Sequence, residues 1–445
     1  LLLYLAALRA LVVYLPLNTA YTPAELDHFV ADAEPGLVVV DPAQEAAVTA
    51  RLAGRPGRVL SLAADGTGSL ATLAAAARPG GFATLQATPD TLAAICYTSG
   101  TTGRAKGAML SHHNLASNAL ALREIWGFGP ADRLLHALPL YHVHGLFVAT
   151  HTAMLAGATL LFLPRFEPDA VLAALPHASV MMGVPTFYTR LLADPRFTAE
   201  TAARVRLFVS GSAPLQESTF HAFAARTGQR ILERYGMTET GMNSSNPLDG
   251  ERRAGTVGLP LPGVTLRLAA TTVDGGAADG ATADGVGEIE VQGPNVLAGY
   301  WRRPAAAAAA STADGFFKTG DLGRIEADGY LRIVGRAKDL IISGGLNVYP
   351  KEVETVLDSL PGIAETAVIG VPHGDFGEAV VAVVTLAPQP PVPAFDEAAC
   401  LAAARQRLAA FKCPKRVVVV EALPKNAMGK VEKHRLRQRF AGLFA

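Results

Sequence analysis

A run of glycines, hydroxyl residues and cations is the stretch of this chain best suited to chemistry. It reads Thr98-Ser99-Gly100-Thr101-Thr102-Gly103-Arg104-Ala105-Lys106-Gly107. Glycine allows close backbone approach to a ligand, exposed N–H groups bind anions, and Lys106 adds a positive charge. An apolar stretch at residues 92–97 predicts a strand that ends at this loop. The pattern indicates a site for a nucleotide or another phosphate ester, and the alternative is a plain glycine-rich turn.

The spacing of this loop argues against the best-known phosphate-binding motif. In a G-x-x-x-x-G-K-[ST] loop, a Ser or Thr follows the lysine and holds Mg²⁺. Here Gly107 follows Lys106. A standard P-loop NTPase is therefore disfavoured.

Composition narrows the possible partners and compartments. The chain has 445 residues, of which half are apolar and 18% are charged, and this argues against a disordered protein. Lys+Arg and Asp+Glu both number 39, so no basic surface for nucleic acid is predicted. The three cysteines, which lack a framework spacing, favour the reducing cytoplasm; they are Cys96, Cys400 and Cys413.

The apolar stretch at residues 1–17 has two interpretations, a signal peptide or membrane span and a piece of a folded domain. It has no basic leader, Arg9 interrupts it, and it is shorter than the roughly 20 residues of a bilayer span. We therefore predict a buried helix over residues 1–10 and a strand over residues 11–15, in a domain truncated at its start. No membrane partner is expected.

The distribution of apolar, helix-forming and turn-forming residues predicts how the chain is organised. Up to about residue 240, apolar β-rich runs alternate with Ala/Leu-rich helical stretches, which is typical of βαβ units. Short strands separated by Gly/Asp turns follow, with an exposed, mobile loop at 269–285 and a low-complexity surface segment at 305–310. We predict an α/β fold, with a large N-terminal domain (1–335) of parallel-rich αβ-layered sheets plus a small β-subdomain. A small mobile α+β C-terminal domain (336–445) follows.

Five further segments place reactive side chains in tight loops. Asp321 lies in a glycine-flanked turn, Glu239 follows a hydroxyl residue, and Lys430 occupies a loop near the C-terminus. Each segment alone is weak support for a site. They span residues 138–145, 233–240, 316–323, 335–350 and 424–431.

Together, and in this order, these segments resemble the adenylate-forming superfamily of acyl-CoA synthetases, luciferases and peptide-synthetase adenylation domains. The resemblance covers essentially the whole chain. It implies that a carboxylate attacks the α-phosphate of MgATP to give an acyl-adenylate and pyrophosphate, and that the thiol of coenzyme A then displaces AMP. The implied cofactors are ATP, Mg²⁺ and coenzyme A. Splitting the reaction in this way replaces a poor leaving group by a good one.

The resemblance also implies roles for individual residues. Lys430 and Glu239 match catalytic positions, with Lys430 neutralising charge on the α-phosphate and the incoming carboxylate. Thr238 and Glu239 match the Mg²⁺ positions, and a hard cation prefers oxygen ligands. Ala105 stands where the family usually has proline. The residues matched to ATP or AMP binding are Thr98, Ser99, Gly100, Thr101, Thr102, Gly103 and Lys106 in the loop, Gly211, Ser212, Ala213, Tyr235 and Gly236 beside adenine, Thr238 beside the phosphates, and Asp321 and Arg336 at the ribose.

A hinge is implied at Lys338. In this family the C-terminal domain rotates between two orientations, one that presents Lys430 to ATP and one that presents the segment Ser343-Gly344-Gly345 to coenzyme A. Glycines there would let a pantetheine arm pass close to the backbone.

The acid is predicted from the polar segment 242–253, which is similar to that of the malonyl-CoA synthetases. Arg252 matches a malonate-binding arginine, since a guanidinium can grip a second carboxylate bidentately. His142 and His144 are candidates to line the acyl pocket. Malonate is the predicted substrate and methylmalonate the next candidate. The alternative for Arg252 is a surface ion pair with Asp249 or Glu251.

Other functions stay open from the sequence. The runner-up is a short- or medium-chain fatty acyl-CoA synthetase. A peptide-synthetase adenylation domain is disfavoured because no carrier domain follows Ala445. A catalytically impaired, truncated homologue is the remaining alternative.

Overall fold

The computed structural model describes residues 1–55, 57–77, 80–98, 105–269, 285–343, 346–387, 395–426 and 429–444. The chain forms two compact units, one made of Leu1–His112 with Leu297–Pro304 and the other of His113–Val296 with Ala305–Ala445. The predicted α/β class is confirmed. The boundary predicted between residues 335 and 336 stays a prediction. Among the described residues, no helix is long and apolar enough to cross a membrane.

The first unit contains two small sheets. Strands Leu37–Val40 and Arg58–Ser61 pair in parallel, and Val30, Val48 and Leu52 pack in the cluster beside them. An antiparallel sheet runs in the order Gly299–Tyr300, Lys106–Ser111, Leu92–Thr98. The α-helices described in this unit are Leu2–Arg9, Pro23–Ala33, Glu45–Arg51 and Ser69–Ala76, with a 3₁₀ turn at Pro42–Gln44.

The strand predicted over residues 11–15 is wrong. The segment makes only an isolated parallel bridge between Tyr14 and Ala94. Leu11 has φ of +52°, which takes the backbone out of the extended conformation at the predicted start of the strand. Apolar composition alone did not reveal this interruption.

The second unit is built around a largely parallel sheet. Its order is Leu259–Pro260, Gly241–Ser245, Leu232–Met237, Leu207–Ser210, Val180–Gly183, Arg133–His136, Thr159–Phe162. The Gly241–Ser245 strand is antiparallel to both of its neighbours, whereas the pairs from Leu232–Met237 onwards are parallel. The helices along this part of the chain are His112–Ile125, Thr150–Leu155, Pro168–Ala174, Pro185–Ala193, Ala199–Ala202 and Glu217–Thr227, with a π-helical turn at His144–Ala149 and a 3₁₀ turn at Leu175–His177.

An antiparallel sheet follows in the chain, in the order Thr265–Ala269, Gly287–Gln292, Phe317–Ile325, Leu331–Arg336. Ile289, Val291 and Leu331 are buried in one cluster with Tyr235. The alanine run forms the helix Pro304–Ala309. The loop predicted at 269–285 lies almost entirely outside the described residues.

The C-terminal part has a sheet that is covered on both faces. Its strands are Leu346–Val348, Ile341–Ser343, Gly377–Leu386 and Ile363–His373, with Arg416–Val419 parallel to Gly377–Leu386. Because side chains alternate along a strand, Val380 and Val384 enter one core cluster and Val381 and Val383 the other. The helices are Pro350–Asp358, Glu397–Arg405 and Lys433–Phe440, and a 3₁₀ turn at Ala337–Asp339 precedes the sheet.

Asn118 ties the helix His112–Ile125 to the neighbouring strand. Its side-chain amide donates to the carbonyl of Met242 at 2.8 Å, and its oxygen accepts the Met242 N–H at 3.0 Å. Asn118→Ala should lower the free energy of unfolding by about 2 kcal/mol because a buried N–H loses its partner. Chemical denaturation measures this. The exposed Glu124→Ala on the same helix is the control, and equal losses for both variants would contradict the account.

Candidate active site

The base of the predicted phosphate loop is an antiparallel strand pair in the first unit. Thr98 lies opposite Lys106 in the register, and Tyr97 opposite Gly107. The Lys106 ammonium lies 5.4 Å from the ring centroid of Tyr300, within cation–π range. The remaining predicted loop residues lie outside the described residues; they are Ser99, Gly100, Thr101, Thr102 and Gly103. The roles of Thr98 and Lys106 stay predictions.

In the second unit, Asp321 and Arg336 meet across adjacent strands. They are register partners, and Arg336 Nε lies 3.1 Å from Asp321 Oδ1. The Tyr235 hydroxyl donates to Asp321 Oδ2 at 2.7 Å, and burial together with the Asp321 charge raises the pKa of Tyr235. The structure thus brings three predicted nucleotide-site residues together. It holds a buried carboxylate ready to accept hydrogen bonds from vicinal hydroxyls.

Lys430 belongs to the same electrostatic group. Burial and the cations Arg336 and Lys338 lower the pKa of Lys430 to about 8, while Asp321 and Asp339 oppose the shift. Asn426 Oδ1 accepts the Lys430 N–H at 3.0 Å and helps to shape the loop. This ammonium is therefore a weakly screened cation beside Asp321.

The loop that bears Lys430 packs against the main sheet's helical layer. A Cβ built on the preceding residue, Gly429, would lie 3.3 Å from Cγ2 of Thr186, which is in the helix Pro185–Ala193. Gly429 itself has φ of +74°, so glycine suits this turn. The C-terminal segment and the strand-end residues of the main sheet therefore meet at one place.

Two predicted histidines adjoin this group. His144 is buried, and its Nδ1 lies 3.2 Å from Oγ of Ser212. Burial and the charges of Arg234 and Lys430 lower the pKa of His142 to about 4, and burial, with Arg234 next in importance, lowers that of His144 well below its ordinary value. Both imidazoles are therefore neutral at pH 7. They line the site as polar groups without adding charge.

Arg234 also belongs to this group of side chains, although the sequence-based prediction gave it no role. It lies in the buried strand Leu232–Met237 and is only 3% exposed. Its Nε and Nη2 have no hydrogen-bond partner among the described residues. Burial lowers the pKa of Arg234 to about 9, so the guanidinium is still charged at pH 7. The sequence carries little signal of this burial, because Arg234 stands directly after Glu233 in Leu232-Glu233-Arg234-Tyr235 and charged residues are rarely buried unpaired.

Arg252 makes backbone contacts that the sequence did not predict, and its role in binding malonate stays a prediction. Its three guanidinium nitrogens donate to backbone carbonyls at 3.2, 2.7 and 2.9 Å; the acceptors belong to Pro247, Arg230 and Leu248. These bonds fix the loop after Gly241–Ser245. Of the two ion pairs considered for Arg252, the one with Glu251 is made by Arg253, which also pairs with Glu326 and Asp328.

Thr238 and Glu239 lie in the turn between strands Leu232–Met237 and Gly241–Ser245. Glu239 is buried. Among the residues that the structure describes, no cluster of three or more His, Cys, Asp or Glu can hold a metal. One carboxylate and one hydroxyl do fit Mg²⁺, which keeps several waters and binds substrate phosphates. The tight turn also requires Gly236, where a Cβ would lie 2.0 Å from the Gly241 carbonyl oxygen.

The remaining predicted residues fall in connecting segments. Ser212 has φ of +71° and, with Ala213, forms the bend after strand Leu207–Ser210. Lys338 lies in the 3₁₀ turn before the C-terminal sheet, and Ser343 is buried at the end of strand Ile341–Ser343. Gly344 and Gly345 lie outside the described residues. The hinge and coenzyme A roles stay predictions.

Glu233 points away from this site and is also buried. One of its carboxyl oxygens has no hydrogen-bond partner in the described part of the chain. Burial raises the pKa of Glu233 to about 8, with Glu217 adding to the shift and Gly255, Lys351 and Arg332 opposing it. The folded protein therefore keeps this carboxyl protonated at neutral pH.

Glu233 should make stability depend on pH. Its pKa is raised from 4.5 on folding, so its contribution is full below about pH 4.5 and is lost as pH rises towards about 8. Glu233→Gln should therefore gain about 1–3 kcal/mol over wild type between pH 5 and 8.5. Denaturant titrations across this range measure the difference, with exposed Glu200→Gln as control. Parallel wild-type and Glu233→Gln profiles would rule out the protonated carboxyl.

Comparison with known proteins gives the family. The model for AMP-binding enzymes matches residues 1–301, and that for the AMP-binding enzyme C-terminal domain matches residues 352–430. The ATP-bound structure of MatB from Rhodopseudomonas palustris superposes with a TM-score of 0.95, at 52% identity, over 100% of this chain and 86% of the other. The adenylate-forming resemblance and its cofactors ATP, Mg²⁺ and coenzyme A are thus confirmed at the level of the family.

Two relatives with different acids are similar to the chain. The malonate–CoA ligase of Arabidopsis thaliana is 39% identical over 78% of this chain and 61% of its own length. The sulfoacetate–CoA ligase of Cupriavidus necator is 39% identical over 95% of this chain and 81% of its own length. The chain thus spans about three fifths of the plant relative. With both of its family models matched and its fold shared, the chain belongs to the AMP-binding, adenylate-forming enzyme family.

Proposed function

We propose that the chain is an AMP-forming acid–CoA ligase that activates a short dicarboxylic acid, malonate first and methylmalonate next. The observation that supports the acid is Arg234, a buried cation with two nitrogens that lack partners among the described residues. The carboxylate oxygen of the acid attacks the α-phosphorus of ATP and pyrophosphate leaves. The thiol of coenzyme A then attacks the acyl carbon and AMP leaves with the electron pair of the broken C–O bond.

The chemistry of Arg234 favours a second carboxylate. Burying a charge without a partner costs several kcal/mol, and a guanidinium matches a carboxylate with two parallel hydrogen bonds. The neighbouring His142 and His144 have lowered pKa values, so they add no second positive charge beside Arg234 and, as imidazoles, supply no negative one. The His144 Nε2 also lacks a partner among the described residues and is available as a further polar contact.

The order of charges also suits a short acid. Both Arg234 and Lys430 act electrostatically on His142, so both cations lie within range of one side chain. An acid whose far carboxylate binds Arg234 would present its near carboxylate towards Lys430. Malonate carries two carboxylates on one carbon and can bind both cations in this way.

The nucleotide would bind on the other side of Lys430. Asp321, held by Tyr235 and Arg336, is an acceptor for ribose hydroxyls. Lys430 would neutralise charge as the carboxylate and α-phosphate meet, and Thr238 with Glu239 would hold Mg²⁺. Cytoplasmic location and the absence of nucleic-acid and carrier-domain partners stay predictions.

Arg234→Ala tests the substrate against Arg252→Ala, the arginine indicated by the sequence. Arg234→Ala should lower kcat/KM for malonate by roughly 2–4 kcal/mol, about 30- to 1,000-fold, and change the value for acetate far less. Arg252→Ala should mainly lower the free energy of unfolding, because its guanidinium binds three carbonyls. Pyrophosphate release is measured with malonate, methylmalonate, sulfoacetate, acetate, butyrate and octanoate.

The panel separates the alternatives. Equal losses for malonate and acetate in Arg234→Ala would remove the distal-carboxylate role. Greater selectivity loss in Arg252→Ala would restore the sequence-based assignment. A wild-type preference for sulfoacetate would keep the anion site and change the acid, and a preference for octanoate would favour a fatty acyl-CoA synthetase.

The pKa of Lys430 predicts that the adenylation activity falls at high pH. Since the group is charged below its pKa of about 8, kcat/KM for ATP in the adenylation half-reaction should fall about tenfold per unit above that pH. Lys430→Arg, which stays charged, should remain active at a lower level with the limb shifted to higher pH. Isotope exchange between pyrophosphate and ATP measures this step. An unchanged limb in Lys430→Arg would assign the titration to another group.

A further inference from the structure

Gly211 follows strand Leu207–Ser210, where the resemblance implied a contact with adenine. A Cβ built on Gly211 would lie 2.4 Å from both Cζ and Nη1 of Arg234 and 2.6 Å from Nε. Three guanidinium atoms at nearly equal distances mean that the group lies over this backbone position. No side chain at residue 211 is compatible with the observed place of Arg234.

The backbone of Gly211 does not itself demand glycine. Its φ is outside the left-handed region that disfavours L-residues, so alanine meets no conformational strain there. The space taken by Arg234 is thus the physical reason for the missing side chain.

Arg234 has little room to withdraw from Gly211. The guanidinium is buried and close enough to Tyr188 for the two to interact electrostatically. Tyr188 is itself fully buried and donates to the Val209 carbonyl at 2.6 Å. The Gly211 N–H in turn bonds to the Gly183 carbonyl at 3.3 Å, which ties the backbone on the other side. A methyl group at residue 211 would therefore displace the guanidinium, since the surroundings are fixed.

We propose that Gly211 is a specificity-determining residue for the acid, because its missing side chain leaves the space in which the Arg234 guanidinium lies. The inference rests on the proposed role of Arg234 and deepens it. It moves Gly211 from the adenine side of the site to the acyl side. Gly211 acts through Arg234 and is a positioning residue.

Gly211→Ala is the direct test. We expect kcat/KM for malonate to fall at least 30-fold and that for acetate to change less than threefold, so that the selectivity ratio drops at least tenfold. The dissociation constant of ATP, measured by calorimetry, should stay within threefold of wild type. Gly129→Ala is the matched control, since a Cβ there has no atom within 4 Å and its φ is also outside the left-handed region. An equal loss for both acids with weakened ATP binding would overturn the proposal in favour of an adenine contact.

A double-variant cycle separates this role from a general structural one. If Gly211 acts only through Arg234, Gly211→Ala should change the malonate kcat/KM of Arg234→Ala by less than threefold. Additive losses would overturn the proposal. If Gly211→Ala alone does not fold, the double variant should regain the Tm of Arg234→Ala, because the clashing group is gone. Failure to regain it would also overturn the proposal.

These outcomes distinguish the two levels of the argument. A wild-type enzyme without preference for malonate or another distal anion over acetate refutes the proposed function itself. A second outcome is a wild-type preference for malonate that is lost in Arg234→Ala and kept in Gly211→Ala. That result refutes the Gly211 inference alone.

Discussion

A positive charge buried in the main sheet is the constraint on which the site depends. Arg234 lies on a central strand, and two of its nitrogens lack partners among the described residues. Burial of an unpaired ion costs several kcal/mol unless a partner arrives. The surroundings are arranged to tolerate this cation, with neutral imidazoles beside it and a backbone without a side chain at Gly211. The described part of the fold therefore leaves two nitrogens of this cation without acceptors, which is the property on which the proposed anion site rests.

A second set of charges links the C-terminal loop that bears Lys430 to this region. Asp321 accepts a hydrogen bond from Tyr235 and forms an ion pair with Arg336, and the Lys430 ammonium is influenced by the same carboxylate and by Asp339. Burial and the cations Arg336 and Lys338 lower the pKa of Lys430 to about 8, so the ammonium keeps its charge at pH 7. A lysine that is buried and still charged interacts strongly with an added phosphate charge, because screening by water is weak in a buried site.

The two arginines in the region show how context decides the use of one residue type. Arg252 lies in a loop and its donors satisfy three carbonyls. Arg234 lies in a strand whose backbone groups are paired in the sheet, so its guanidinium has few local acceptors. A loop leaves carbonyls open for side chains, whereas a sheet does not. The loop position attracted the sequence-based assignment, and the strand position left an arginine with donors available to a ligand.

The sequence by itself determined the fold class and the family, because hydrophobic periodicity and motif order are local properties. The alternation predicted up to about residue 240 corresponds to the parallel strands from Arg133–His136 to Leu232–Met237 and the helices between them. The motifs placed Asp321 and Arg336 together at the ribose, and the structure shows that the two residues are register partners on adjacent strands. Only the tertiary structure decided that Arg234 is buried with two nitrogens lacking partners among the described residues, that a Cβ at Gly211 would meet this guanidinium, and that Leu11 interrupts the predicted first strand. These depend on contacts between residues distant in sequence and on local backbone angles, and composition records neither.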